Sequence, residues 1–221
     1  MNDISSGFLL AGPQRQMSSS IPATFRYWKR KAYENQDLLN EGEFSEELEA
    51  ENEDISKESK MSFLEFVTHR TLGLNYSYQE LKKSDTKFEK LSTLLLDFLP
   101  ENPEQKAIIF STYIATVDYL EERFEEIGIK VITMKGDTKA NKEELVEQFR
   151  NDNEIRLLIC TEVLSEGVDL QFTNMVINYD LPWNPMKIEQ RIGRVDRIGQ
   201  PADRIIIWNF LQCMKRNVYT C

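Results

Sequence analysis

Residues 155–180 read IRLLICTEVLSEGVDLQFTNMVINYD, two apolar runs, IRLLIC and MVINYD, on either side of a polar loop. A strand with one face in water alternates apolar and polar residues, whereas a run apolar on both faces suits a strand covered on both. Similar runs occur as KAIIF at 106–110, IKVITM at 129–134 and RIIIWNF at 204–210. Stretches of helical period separate them. Val117, Leu120, Phe124 and Ile127 share one face ahead of Gly128, and a helix around 139–150 buries Leu145, Val146 and Phe149. This alternation predicts an α/β fold, a parallel sheet with helices on both faces, in which ligands gather at the carboxyl ends of the strands.

Upstream, Thr86 and Glu89 read as a capping box, and Phe88, Leu91, Leu94, Leu95 and Phe98 recur at helical spacing before Pro100 ends the run. This helix is expected to open the folded domain. Residues 1–33 carry a basic patch at Arg26, Lys29, Arg30 and Lys31 without sustained periodicity. The stretch from 34 to 60 crowds acidic residues with almost no compensating base, and suits either a charged helix or a solvated linker.

A chain of 221 residues has room for one substantial core. No apolar run approaches the roughly 20 residues of a membrane span. The start, MNDISSGFLLAGPQRQ, lacks the pattern of a secretory signal, so a cytoplasmic protein is expected. Cys160, Cys213 and Cys221 fall at no metal-ligand spacing and read as reduced, structural thiols. The formal charge of −10 argues only weakly against nucleic-acid binding, because much of the acid sits in 34–58 and a track needs only a narrow strip of amides, hydroxyls and a few bases.

The post-strand loops hold the unusual residues: STY at 111–113, KGDT at 135–138, TEVLSEGVDLQ at 161–171 and DLPWNP at 180–185. Beyond them, Gln190, Arg194 and Arg197 are spaced i, i+4 and i+7, one stripe of a helix, with Ile188, Ile192 and Val195 on the opposite, buried stripe. Arginine suits charge developing on a transferring phosphoryl group, because its planar fork stays charged and clamps two oxygens at once. Arg191 lies about 100° around the helix from Gln190. It either joins that stripe or braces the fold against Asp196 or Glu189.

These segments resemble the C-terminal motor lobe of superfamily 2 helicases and translocases: AIIFST as motif IV, ICTEVLSEGVDL as motif V and QRIGRVDRIGQ as motif VI. RIGQ and DLPWNP are similar to the Swi/Snf-like branch, and QRIGR with the EGVDL acid to the bacterial RNA-polymerase-associated ATPases within it. The resemblance covers about 86–212 and implies a RecA-like sheet. It implies that Arg194 and Arg197 are paired arginine fingers for ATP hydrolysis, with Gln190 opening their motif. Asp169, with Gly167 permitting close approach, matches the acid that bonds the nucleotide ribose. Ser111, Gly136 and Thr161 match positions touching nucleic-acid phosphates. It also implies ATP with Mg2+ as cofactor, held mainly by an N-terminal motor lobe of the same protein. Double-stranded DNA, and RNA polymerase or another DNA-bound complex, are the implied partners; no membrane partner is expected. On this division 1–85 is an inter-lobe linker or insertion, to which QRQMSSSIPA at 14–23 is loosely assigned, 86–212 is the lobe and 213–221 a truncated tail. Neither GxxxxGK[ST] nor a DExx acid occurs, so the isolated chain, read as a fragment, is expected neither to bind ATP tightly nor to hydrolyse it.

Each assignment has a plainer counterpart. Asp169 could cap a turn, and Thr161 and Ser111 could cap the helices that follow them. Trp183 could stack a base, though an aromatic packed over the sheet is the commoner outcome. His69 stands alone and reads as a structural residue. The acidic run reads as a solvated face or linker rather than a DNA mimic. At the level of function, the rivals are an RNA helicase lobe and a non-catalytic interaction module.

Overall fold

The computed structural model describes residues 12–34, 73–136, 138, 141–161, 170–197 and 199–211. The acidic run beyond Glu34, His69, Gly167, Asp169 and the tail from 212 lie outside them. Five strands, β1 (Ala107–Phe110), β2 (Val131–Met134), β3 (Leu157–Cys160), β4 (Met175–Asn178) and β5 (Ile206–Asn209), form one parallel sheet in the order β2-β3-β1-β4-β5. The register is in step across the inner strands, with Ile109 opposite both Ile159 and Ile177. β1, β3 and β4 are buried at every position, whereas the edge strands β2 and β5 alternate. Full burial is the reason the inner strands read as unbroken apolar runs.

The helices among the described residues are α1 (12–19), α2 (Ile21–Glu34), α3 (Tyr78–Lys83), α4 (Thr86–Glu101), α5 (Ile114–Glu126), α6 (Lys142–Asn151) and α7 (Pro185–Ile192). The two-residue period of the strands sorts the core into two layers. Ala107, Ile109, Leu157, Ile159 and Ile177 meet Phe88, Leu91 and Leu95 of α4 and Val117, Leu120 and Phe124 of α5 on one face. Ile108, Phe110, Leu158 and Val176 meet Val146 and Phe149 of α6, together with Leu170 and Val195, on the other. The expected fold, an α/β RecA-like parallel sheet with helices on both faces, is therefore the observed one.

Several boundaries differ from expectation. The N-cap of α4 is Asp85, whose carboxylate accepts from the Lys87 and Phe88 amides at 3.1 Å each, and not Thr86. Pro100 lies inside α4, because proline disturbs the turn behind it and here the helix has one residue left to run. Ile127 is 42% exposed; as the C-cap of α5 it has left the face shared by Val117, Leu120 and Phe124.

Of the segment without clear periodicity, residues 12–34 are helical but for Ser20 and pack on the lobe. Ala23 of α2 enters the core, and Trp28 is buried with its indole N–H donated to Gln16 Oε1 at 3.0 Å. Arg26 pairs with Glu122 of α5 and lies over Tyr78 of α3, while Lys82 of α3 pairs with Glu122 and Glu126. Long arms from two segments thus converge on one acidic face of α5.

Candidate functional site

The residue after each strand is pinned to the end of its neighbour. Thr161 donates its amide to Met134 O at 3.1 Å, Ser111 to Cys160 O at 3.0 Å, Tyr179 to Phe110 O at 2.9 Å and Phe210 to Asn178 O at 2.9 Å. One row along the carboxyl edge therefore holds Thr161 beside Ser111 and Ser111 beside Tyr179. Gly136 is exposed in the turn past β2, at the far end of this row, where the Thr138 amide closes on Lys135 O at 3.1 Å.

The hydroxyls of that row have different fates. Ser111 is fully buried and donates its hydroxyl to Asp180 Oδ2 at 2.7 Å. Thr161 is also buried, at 5% exposure, but its Oγ1 makes no hydrogen bond among the described residues.

Asp180 gathers the edge together. It is 7% exposed, and its Oδ2 accepts from Ser19 Oγ at 2.6 Å as well as from Ser111. Its Oδ1 accepts from the amide and the hydroxyl of Thr112, both at 2.8 Å. Beside it, Lys87 donates to the carbonyls of Ser18 and Ser19 at 2.9 Å each and lies 4.3 Å from the centroid of the Tyr179 ring. Burial pushes the Lys87 ammonium down to about 8, against the opposing pull of Asp180 and Asp85. A small cleft between Arg15, Lys87, Thr112, Asp180 and Phe210 opens from this network.

The arginine segment is built by its local sequence. Asn184 accepts from the Met186 amide at 2.9 Å and Pro185 occupies the first turn, so NP starts α7 cleanly. The helix does not run through 197 as its spacing suggests. It stops at Ile192, Gly193 caps it, and the chain tightens, with Arg194 and Val195 donating their amides to Arg191 O and Ile192 O at 3.2 and 3.0 Å. A Cβ at Gly193 would meet Glu189 O at 3.2 Å, so a residue without one suits this tightening. Val195 is buried on the inner side, as expected, while Ile188 and Ile192 are half-buried.

On the outer side, Gln190 and Arg197 are exposed and Arg194 is half-buried. Arg197 donates Nε to Gly193 O at 3.1 Å. Arg194 makes no side-chain hydrogen bond or ion pair among the described residues. Arg191 is the bracing arginine, 1% exposed, and among the described residues it is held by groups other than Asp196 and Glu189. Its NH1 donates to Asn178 Oδ1 and to Asp180 O at 2.9 Å each, and its NH2 lies 3.9 Å from Asp180 Oδ1. The acid comes from the strand end that the helix packs on.

Two further features complete the edge. Gln200 donates to Thr173 O and Val195 O at 2.9 and 2.8 Å and accepts from the Ala202 amide at 3.0 Å, which makes the end of RIGQ a clasp. Trp183 is 66% exposed, with Arg15 5.8 Å from its ring centroid, so it is not packed over the sheet. Among the described residues no group of His, Cys, Asp and Glu side chains is placed to hold a metal ion, and no helix is long and apolar enough to cross a membrane. Asp180, Ser19 and Lys87 escaped the sequence reading. The signal available for Asp180 was an acid closing an apolar strand run.

A parallel sheet in this strand order, with Arg194 and Arg197 on the turn after α7, is the RecA-like arrangement that the resemblance to the second motor lobe of superfamily 2 implies. Residues 86–199 match the family described as helicase conserved C-terminal domain, and the chain belongs to that family. It is similar to the uncharacterized ATP-dependent helicase YqhH of Bacillus subtilis, at 46% identity over 101 residues, 45% of this chain and 18% of that protein. It is also similar to the RNA polymerase-associated protein RapA of Proteus mirabilis, at 33% identity over 147 residues, 64% of this chain and 15% of that protein. The chain thus spans less than a fifth of the length of either relative. Among solved structures, the crystal structure of the C-terminal part of the Fun30 ATPase domain matches with a TM-score of 0.54 and 23% identity, covering 75% of this chain and 56% of that one. That likeness shows the fold.

Proposed function

We propose that this chain is the second motor lobe of an ATP-dependent translocase on double-stranded DNA, of the Swi/Snf-like kind. Arg194 and Arg197 face a nucleotide held mainly by the first lobe and reach its γ-phosphate when the lobes close. Gln190 borders the same nucleotide, and Gly167 and Asp169 receive its ribose. Thr161 and Gly136 contribute a hydroxyl and a backbone amide to the nucleic-acid track, which Ser111 shapes by anchoring the 111–113 loop to Asp180. Such contacts position a backbone without reading sequence. ATP with Mg2+ supplies the transferable phosphoryl group and the metal charge. The residues of this chain supply the guanidinium groups that meet the charge developing on it.

The observation that carries this reading is Arg194, a half-buried guanidinium with no partner among the described residues, on a turn anchored by the buried Arg191. A bound phosphate is the acceptor such a group lacks. Similarity to a protein named as RNA polymerase-associated supports RNA polymerase, or another DNA-bound complex, as a partner. The 221-residue chain alone, which has no phosphate-loop string, is expected to show no ATP turnover. The test is ATP turnover by the protein carrying both lobes, in the presence of duplex DNA, single-stranded DNA or structured RNA. Strongest stimulation by duplex DNA supports the proposal. Strongest stimulation by structured RNA would assign an RNA helicase, and no turnover under any condition would leave a non-catalytic interaction module.

A further inference from the structure

Asp180 joins three segments that are distant in sequence. Ser19 belongs to α1, 161 residues upstream and outside the matched region 86–199. Ser111 and Thr112 form the loop after β1, and Arg191 lies on α7. Four donated hydrogen bonds meet on the one carboxylate. An ionised carboxylate accepts on both oxygens, whereas an amide of the same size has one accepting oxygen and a donor in place of the other.

The bonds form a chain of constraint that ends at the arginines. The carboxylate is held by Ser19, Ser111 and Thr112, which fixes the backbone of Asp180. The Asp180 carbonyl holds Arg191, and the Arg191 carbonyl accepts the Arg194 amide at 3.2 Å. Ser19 is itself held on its far side. Its hydroxyl lies 2.9 Å from Thr116 Oγ1 and its carbonyl accepts from Lys87. A displacement of 18–19 would therefore strain the bonds at Asp180, and a displacement of Asp180 would strain Arg191, whose carbonyl holds the Arg194 amide.

We propose that Asp180 is a positioning residue for the arginine-bearing turn, and that the segment 15–19, outside the family-matched domain, sets the orientation of that turn through it. The functional consequence rests on the reading of Arg194 and Arg197 as nucleotide-facing; the mechanical linkage rests on the bonds alone. Substitution D180N keeps the shape and replaces one accepting oxygen by a donor, and S19A removes the upstream hydroxyl that bonds Asp180 and Thr116 while leaving the carboxylate in place.

The test has two arms. In the 221-residue chain, hydrogen–deuterium exchange is followed at amides 191–197, with α6 as internal reference. D180N is expected to speed exchange at 191–197 about tenfold, the size of a lost charge-assisted hydrogen bond, and S19A about threefold, with α6 unchanged. In the protein carrying both lobes, the same variants lower kcat for ATP in the same order and leave KM for ATP unchanged. A general loss of structure would instead raise exchange in α6 as well. If D180N does not fold, S19A alone decides. Unchanged exchange at 191–197 in S19A, or an equal rise in α6, overturns the proposal. Faster exchange at 191–197 with kcat unchanged leaves the linkage standing and removes the nucleotide-facing role of the arginines, so the two readings fail separately.

Discussion

Lys87 titrates where its consequence can be measured. Its ammonium is held at about 8 by burial, with Asp180 and Asp85 pulling the other way and Arg15 lining the same cleft. An ordinary lysine titrates near ~10.4. Between those values the unfolded chain binds the proton and the folded chain does not, so stability rises with pH across that window. Relative to K87M, which titrates nothing there, the unfolding free energy of the parent chain should increase from pH 7 to pH 9.5 in urea titrations. A decrease would show that the ammonium is stabilised where it sits. Gly199 gives a second single-residue test. Its φ of 104° is in the region L residues avoid, and a Cβ there would lie 3.1 Å from Gln171 Oε1. G199A should cost about 1–2 kcal/mol in the same titration. The bracing character of Arg191 was legible from its angle around α7, but its partner was not. The nearby acids in sequence were Glu189 and Asp196, whereas Asp180, the acid it meets among the described residues, becomes a neighbour only when β4 and α7 pack.

Among the elements, α4 shows what a pattern fixes and what it leaves open. Its apolar spacing correctly marked Phe88, Leu91 and Leu95 as core. Its cap was misplaced by one residue, because Thr86 with Glu89 imitates a capping box whereas Asp85 has the bonds. Asp85 also accepts from the buried Tyr119 hydroxyl at 2.6 Å, so it serves the helix and the core together. D85A should therefore cost about 2 kcal/mol in thermal or chemical unfolding, and T86A, at an exposed position, less than about 0.5 kcal/mol. Equal losses would return the cap to Thr86. The early end of α7 has a similar origin. The residues at 190, 194 and 197 keep helical spacing, yet Gly193 allows the tight turn that separates Gln190 from the two arginines. Periodicity reports which side a residue faces more reliably than where the hydrogen-bond ladder stops.

At the scale of the molecule, the fold was legible because a parallel sheet covered on both faces leaves a mark at nearly every strand position. The placement of the post-strand residues was legible for a related reason: in a parallel sheet the residue after every strand lies at the same edge, so Thr161, Ser111 and Tyr179 come to stand side by side. The contact that organises the edge was not, since it joins Ser19 to Asp180 across the length of the domain. No local pattern encodes such a pairing, and the helices carrying Ser19 and Lys87 reach it only by packing on α5 and the sheet. The central claim is that the edge assembled this way presents Arg194 to a nucleotide held elsewhere. It is tested most directly by R194A in the protein carrying both lobes, with ATP binding and duplex-DNA-stimulated turnover measured side by side. ATP affinity should be unchanged and turnover should fall about a thousandfold, the scale of a lost arginine finger. Turnover equal to that of the parent protein would contradict it.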